Sequence, residues 1–176
     1  MSYITTYQKH RVDPIHMDED LIDISDIAHA LSLLCRANGH FPHFYSVGQH
    51  SVNCMNEAKA RGYSKRVQLG CLLHDASEAY LSDITRPVKP FLQNYMEIEA
   101  QLQTKIYRKW LLPDLTEEEL KQIRAVDDAM LYAEFLELMG ERVFEEAIAM
   151  QSSPLLAQVD FTSVEQTFLS AFHSLV

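Results

Sequence analysis

The chain reads as an all-α protein, a compact helical bundle preceded by a short N-terminal strand or hairpin. Three observations carry that expectation. Apolar residues recur at spacings of three and four over most of the chain beyond Ile24. Side chains able to cap a helix precede these runs, and glycines close several of them. Strand-like patterning is confined to Ile4–Tyr7 and is weak there.

The elements follow in order. Residues 1–22 form an irregular segment with Pro14 and an acidic patch, Asp18-Glu19-Asp20. The stripe Ile27, Leu31, Leu34 predicts a helix capped by Asp23, Ser25 or Asp26, ending around Arg36-Ala37-Asn38-Gly39, where Asn and Gly favour left-handed termination. Ser46 caps a second helix to about Arg61, closed by Gly62. Ser64 opens a third, which ends on the pair His74-Asp75. Two prolines hold Ser82–Pro90 as a loop. Phe91–Trp110 reads as a long amphipathic helix with Tyr95, Ile98, Leu102 and Ile106 on one side. Thr116 and Glu119 make a capping box for a helix to about Met139, before Gly140. A shorter helix is expected over Arg142–Met150. Thr162 and Glu165 form a second box for a last helix carrying Val164, Phe168, Ala171, Phe172 and Leu175.

A chain of 176 residues is expected to make one domain over 1–176, with its core in 23–140 and C-terminal helices in 141–176. No apolar run approaches the ~20 residues of a membrane span, and the first residues lack the pattern of a secretory signal. Cys35, Cys54 and Cys71 form no CxxC and fall in apolar helical contexts, as expected of reduced core thiols in a cytoplasmic protein. The formal net charge of −10 argues against extended contact with nucleic acid. It leaves room for a small phosphorylated substrate, because a metal and a few cations can reverse the field inside a pocket.

The chemistry concentrates in three helices. His74 and Asp75 end an apolar run, Val67–Leu73, and a carboxylate placed there needs a partner or an ion. Neighbours on a helix diverge by roughly 100°, yet near its C-terminus both can converge on an ion beyond the end. His50 lies between Val47 and Cys54 at helical spacing, and Asp127 interrupts the inward stripe Leu120, Ile123, Met130, Leu131. Two imidazoles and two carboxylates make a nitrogen–oxygen site for one divalent ion: Mn, Co, Fe, Ni or Zn, with Mg also compatible. Glu134, on the same inward stripe, suits an orienting role. Asp128 reads as an exposed partner of Arg124, four residues earlier. Glu78 lies one turn beyond His74 and can reach the same site, where a carboxylate positions or deprotonates water. Arg36, Arg86 and Lys89 are candidate phosphate-binding cations.

Together these pieces resemble the HD-domain metal-dependent phosphohydrolases, with ligand order H…HD…D. The matching residues are His50, then His74-Asp75, then Asp127. The segments Phe44–Val52, Leu73–Asp83 with Arg86–Lys89, Val126-Asp127 with Glu134, and Ile27–Leu31 with Gly39-His40 resemble the branch containing bacterial 5′-deoxynucleotidases and phage-type HD hydrolases. The resemblance covers roughly residues 23–140. It implies a helical HD-type domain in which His50, His74, Asp75 and Asp127 hold one ion. Glu78 handles the attacking water, and Asp75 belongs to both the ion site and the catalytic set. Arg36 grips the phosphate and Asp83 contacts the sugar. Apart from that resemblance, Lys89 is expected to help Arg36 balance charge as the ester oxygen leaves. The deoxynucleotidases carry Trp after the Arg; this chain has Ala37, so its base and sugar selectivity departs from theirs. No His occurs between Asp75 and Asp127, which disfavours a dinuclear site.

The expected function is hydrolysis of a phosphomonoester, with a nucleoside 5′-monophosphate as the favoured substrate. The competing readings are a pyrophosphohydrolase or phosphodiesterase using the same metal site, and a non-catalytic module that binds metal or nucleotide. The apolar surplus of the Phe91–Trp110 and C-terminal helices suits a homodimer and equally suits burial in the core. The remaining histidines read as structural or surface groups, with His40 and His43 close enough to line a pocket.

Overall fold

A computed structural model describes residues 3–176. Its fold is all-α, with one short two-stranded hairpin at the N-terminus. In the hairpin, β1 (Ile4–Thr5) pairs antiparallel with β2 (Arg11–Val12), Ile4 opposite Val12. The strand expected at Ile4–Tyr7 is therefore shorter and has a partner within the segment expected to be irregular. Tyr7 stacks on His29 with ring centroids 3.7 Å apart, and His29 Nδ1 lies 2.9 Å from Glu165 Oε2. The hairpin is thus pinned to the helices beneath it.

Seven helical segments follow: α1 (Ile24–Leu33), α2 (Val47–Ala60), α3 (Lys65–Leu73), α4 (Glu78–Leu81), α5 (Gln93–Trp110), α6 (Glu117–Met139) and α7 (Phe161–Leu175). Helix α2 is central, packed by α1, α3, α6 and α7. It approaches α1 closely at Gly48, where an added Cβ would meet the backbone of Leu31 and Ser32 at 3.1 Å. The main core joins Ile27, Leu31, Val47, Leu72, Leu102, Ile106 and Phe168. A second cluster lies between α2, α3 and α6, around Cys54, Val67, Cys71, Ile123 and Met130. The apolar face of α7 is buried in the main core through Phe168 and Phe172.

The caps behave as short-range chemistry dictates. Ser46 accepts from Gln49 N, Ser64 from Val67 N, and Thr116 and Glu119 form the reciprocal box. Among the described residues, no helix is long and apolar enough to cross a membrane.

Four expectations are corrected. Helix α1 stops at Leu33, because the next backbone groups are engaged elsewhere: Val47 N donates to Leu34 O and Arg36 N to Tyr45 O. The left-handed residues Ala37, Asn38 and Gly39 instead shape a separate 3-10 turn that presents Arg36. The helix expected over Arg142–Met150 is absent, and residues 141–160 run as an irregular strap. The second capping box does not form either. Asp160 caps α7 by accepting from Ser163 N, Thr162 lies within its first turn, and Glu165 serves His29. Finally, Asp128 pairs with Arg86 at 2.7 Å rather than with Arg124.

The strap is irregular because α2 takes its backbone groups. Gln49, Asn53, Glu57 and Arg61 are four residues apart and so share one helix face. Gln49 Nε2 donates to Leu155 O and Ala157 O, and Asn53 exchanges two bonds with Leu155. Glu57 accepts from Gln151 N at 2.9 Å, from Ser152 N at 2.8 Å and from Ser152 Oγ at 2.6 Å, while Arg61 Nε pairs with it at 2.7 Å. Burial alone would raise the Glu57 carboxyl, but these donors hold it below its ordinary pKa.

Glu57→Ala is expected to lower stability by about 1–3 kcal/mol, since it orphans two strap amides. A depressed carboxylate contributes stability above its unfolded pKa of about 4.3 and loses it as pH falls through the folded value. Denaturation of both proteins across pH should show the gap narrowing below about pH 4.

Candidate metal centre and pocket

His50 and His74 reach one point from two helices. His50 lies in the second turn of α2 and is fully buried; its Nδ1 sits 2.6 Å from Glu134 Oε1. His74 caps the C-terminus of α3, with Nδ1 2.7 Å from Cys71 O. A carbonyl only accepts, so His74 carries its proton on Nδ1. Glu134 likewise takes the Nδ1–H of His50. In the neutral imidazoles both Nε2 lone pairs face inward, and these atoms are 3.2 Å apart.

Two carboxylates close the cluster. Asp75 Oδ2 lies 3.3 Å from His74 Nε2 and 3.8 Å from His50 Nε2. Asp127 Oδ1 lies 3.3 Å from His50 Nε2 and 3.6 Å from His74 Nε2. Four acceptor atoms this close repel unless positive charge sits among them. The site's pull on protons records the same demand. Burial opposes charge on both imidazoles, yet Cys54, Glu134 and Asp127 raise the pKa of His50, Asp75 and Asp127 raise that of His74, and the histidines hold Asp127 well below the carboxylate range. A divalent cation meets that demand with the same donors, so the residues fit one.

Cys54 adds a donor that the sequence reading assigned to the core. Its Sγ is 3.4 Å from His50 Nε2, and the donor atoms of His50, Cys54 and His74 lie within 4.8 Å of one another. This buried His50–Cys54–His74 group could hold a metal ion. The available signal was position: Cys54 follows His50 by four residues and shares its helix face. Burial pushes the free thiol up to about 11.

Arg36 enters from the 3-10 turn. Its Nε pairs with Glu134 Oε2 at 2.9 Å, its Nη1 lies 3.5 Å from Asp75 Oδ2, and its Nη2 lies 3.9 Å from Asp127 Oδ1. Burial disfavours its charge, but Glu134, Asp75 and Asp127 outweigh that and keep it cationic. Glu134 therefore has the orienting role expected of it, binding Arg36, His50 and Tyr45 at once.

These groups open onto a cavity of about 610 Å³. Its charged end holds Arg36, Asp75, Glu78, Asp83, Lys89 and Asp127; its apolar end is walled by Ile84, Leu131, Phe135, Met139 and Phe144. The structure thus brings every expected site residue but the two buried histidines to the pocket lining, and those two lie directly behind Asp75 and Asp127. Glu78 begins α4 and is buried, with Oε2 unpartnered and Oε1 3.5 Å from Lys89 Nζ. Burial, Asp75 and Asp83 push its carboxyl up to about 10. Lys89 is drawn toward Glu99, 2.8 Å away. Arg86 pairs with Asp127 Oδ2 at 2.9 Å, leaving Oδ1 for the histidines. His40 lines the cavity, whereas His43 bonds Leu156 O in the strap.

No family model matches the chain. Its sequence is 34% identical over 142 residues to the uncharacterized protein YfdR of Escherichia coli (strain K12), covering 81% of this chain and 71% of that one. It is 36% identical over 146 residues to the uncharacterized protein RCAP_rcc00048 of Rhodobacter capsulatus, covering 76% of this chain and 72% of the relative. The chain belongs to the family that contains these two bacterial proteins.

Proposed function

We propose that the protein is a divalent-metal-dependent phosphohydrolase of the HD type, a phosphomonoesterase acting on nucleoside 5′-monophosphates. The observation that carries this reading is the convergence of His50, His74, Asp75 and Asp127 within 3.2–3.8 Å contacts beside Arg36 and Glu78. The resemblance of the H…HD…D segments to that family supports it independently.

A divalent ion of the Mn, Fe, Co, Ni, Zn or Mg group, held by those four residues, would polarise the phosphoryl group and acidify a water. The remaining work falls to the chain. Arg36, fixed by Glu134 and only 12% exposed, binds phosphoryl oxygens as a charge that cannot be deprotonated. Glu78 is buried at the pocket with one carboxyl oxygen unpartnered, which suits it to exchange a proton with water and with the leaving oxygen. Asp83 at the pocket rim suits a sugar hydroxyl, and the apolar end of the cavity suits a base. Ala37, small and left-handed, lines the pocket beside Arg36 and leaves the sugar region wide.

Phosphate release from mono-, di- and cyclic nucleotides, measured with Mn, Co and Mg, tests the activity. Release from monoesters alone is expected; release only from pyrophosphates or diesters would move the assignment to the competing hydrolases, and no release to a binding module. Glu78→Gln should lower turnover by about 10²–10⁴-fold with metal content unchanged by elemental analysis. Asp127→Ala should lose the bound metal, while Asp128→Ala, whose partner Arg86 is half-exposed, should retain both metal and turnover.

A further inference from the structure

The function proposed above leaves Cys54 without a role, yet this side chain meets the imidazoles from inside the bundle. Cys54 and His50 project from one face of α2, both fully buried. His50 Nε2 has three close neighbours from different directions: His74 Nε2 at 3.2 Å, Asp127 Oδ1 at 3.3 Å and Cys54 Sγ at 3.4 Å. With metal–nitrogen and metal–oxygen bonds near 2.1 Å and metal–sulfur near 2.3 Å, neighbouring donors on one ion stand roughly 3.0–3.8 Å apart. The sulfur therefore sits at a ligand's spacing from His50 Nε2, and within 4.8 Å of the His74 donor nitrogen. An S–H bond to His50 explains the contact but leaves the remaining inward acceptors uncompensated.

We propose that Cys54 is a thiolate ligand that joins His50, His74, Asp75 and Asp127 on the ion, and that the site selects thiophilic ions such as Zn²⁺ and Co²⁺ over Mg²⁺ and Mn²⁺. The inference rests on the metal-binding part of the function proposed above. The thiol releases its proton to solvent as the sulfur–metal bond forms, with no change of oxidation state. Cys54 approaches from the buried side of the cluster, and Asp75 lines the pocket. Soft sulfur alongside two imidazoles favours zinc and cobalt, whereas magnesium and manganese prefer oxygen donors.

The test is the optical spectrum of the full chain, stripped by chelation and reloaded with Co²⁺. Visible d–d bands are expected together with an intense near-ultraviolet sulfur-to-cobalt charge-transfer band. Cys54→Ser should lose only the charge-transfer band and weaken Zn²⁺ binding by about 10–100-fold or more. Cys35→Ser and Cys71→Ser should keep both bands. Because the chain has three cysteines, those two controls assign the sulfur even if Cys54→Ser fails to fold. Visible bands without charge transfer in the unsubstituted protein, or charge transfer that survives in Cys54→Ser, would overturn the thiolate and leave the metal centre standing. Failure to bind cobalt or zinc at all would overturn both.

Discussion

The buried carboxylate of Glu134 is the point on which the rest of the site depends. It has no solvent exposure and receives Arg36 Nε, Tyr45 Oη and His50 Nδ1, all within 2.9 Å. Each donor comes from a different stretch: the 3-10 turn, the residue before the α2 cap, and α2 itself. Removing one partner of a buried ion pair costs about 3–5 kcal/mol, because the other charge is left in the interior. The arrangement settles three matters at once. It turns His50 so that Nε2 faces His74, it holds the guanidinium of Arg36 at the pocket, and it locks α6 onto α2. The carboxyl stays ionised because Arg36 and His50 outweigh burial and hold its pKa down to about 2.

The network continues beyond Glu134. Tyr45 Oη accepts from Asn53 Nδ2 at 2.9 Å, and Asn53 bonds the strap at Leu155. Polar side chains therefore run through the bundle from the donor cluster to the far side of α2. They can be buried there because each finds a partner, and an unpaired one would carry a desolvation penalty of about 1–3 kcal/mol. A central helix with so many buried polar groups is specified by pairing as much as by apolar contact.

What the sequence made legible was local or repetitive. The caps at Ser46, Ser64 and Thr116 act within four residues, and the apolar stripes of α5 and α6 repeat over several turns. The convergence of His50, His74, Asp75 and Asp127 was legible because each stood where an apolar residue would be cheaper. The failures share one cause, which is competition from distant groups. Backbone pairing with residues 45–47 ends α1 early, and α2 side chains about a hundred positions away hold the strap out of a helix. Glu165 is taken by His29 and Asp128 by Arg86. Cys54 was missed for a different reason, since a cysteine among apolar neighbours looks the same whether it fills space or faces an imidazole.

The strap reaches both the wall of the cavity and the helix that carries His50. Phe144, near its start, helps wall the apolar end of the cavity, while Ser152 and Leu155 are tied to the helix that carries His50. The wall and the donor cluster also share α6, which carries Asp127 as well as Leu131, Phe135 and Met139. Releasing the strap from α2 breaks its bonds to Gln49, Asn53 and Glu57, and Asn53 leads through Tyr45 to Glu134. Val143 and Phe144 line the cavity, whereas the bonds to α2 come from residues 149–157, so the shape of the wall can change with the ties to the donor helix intact.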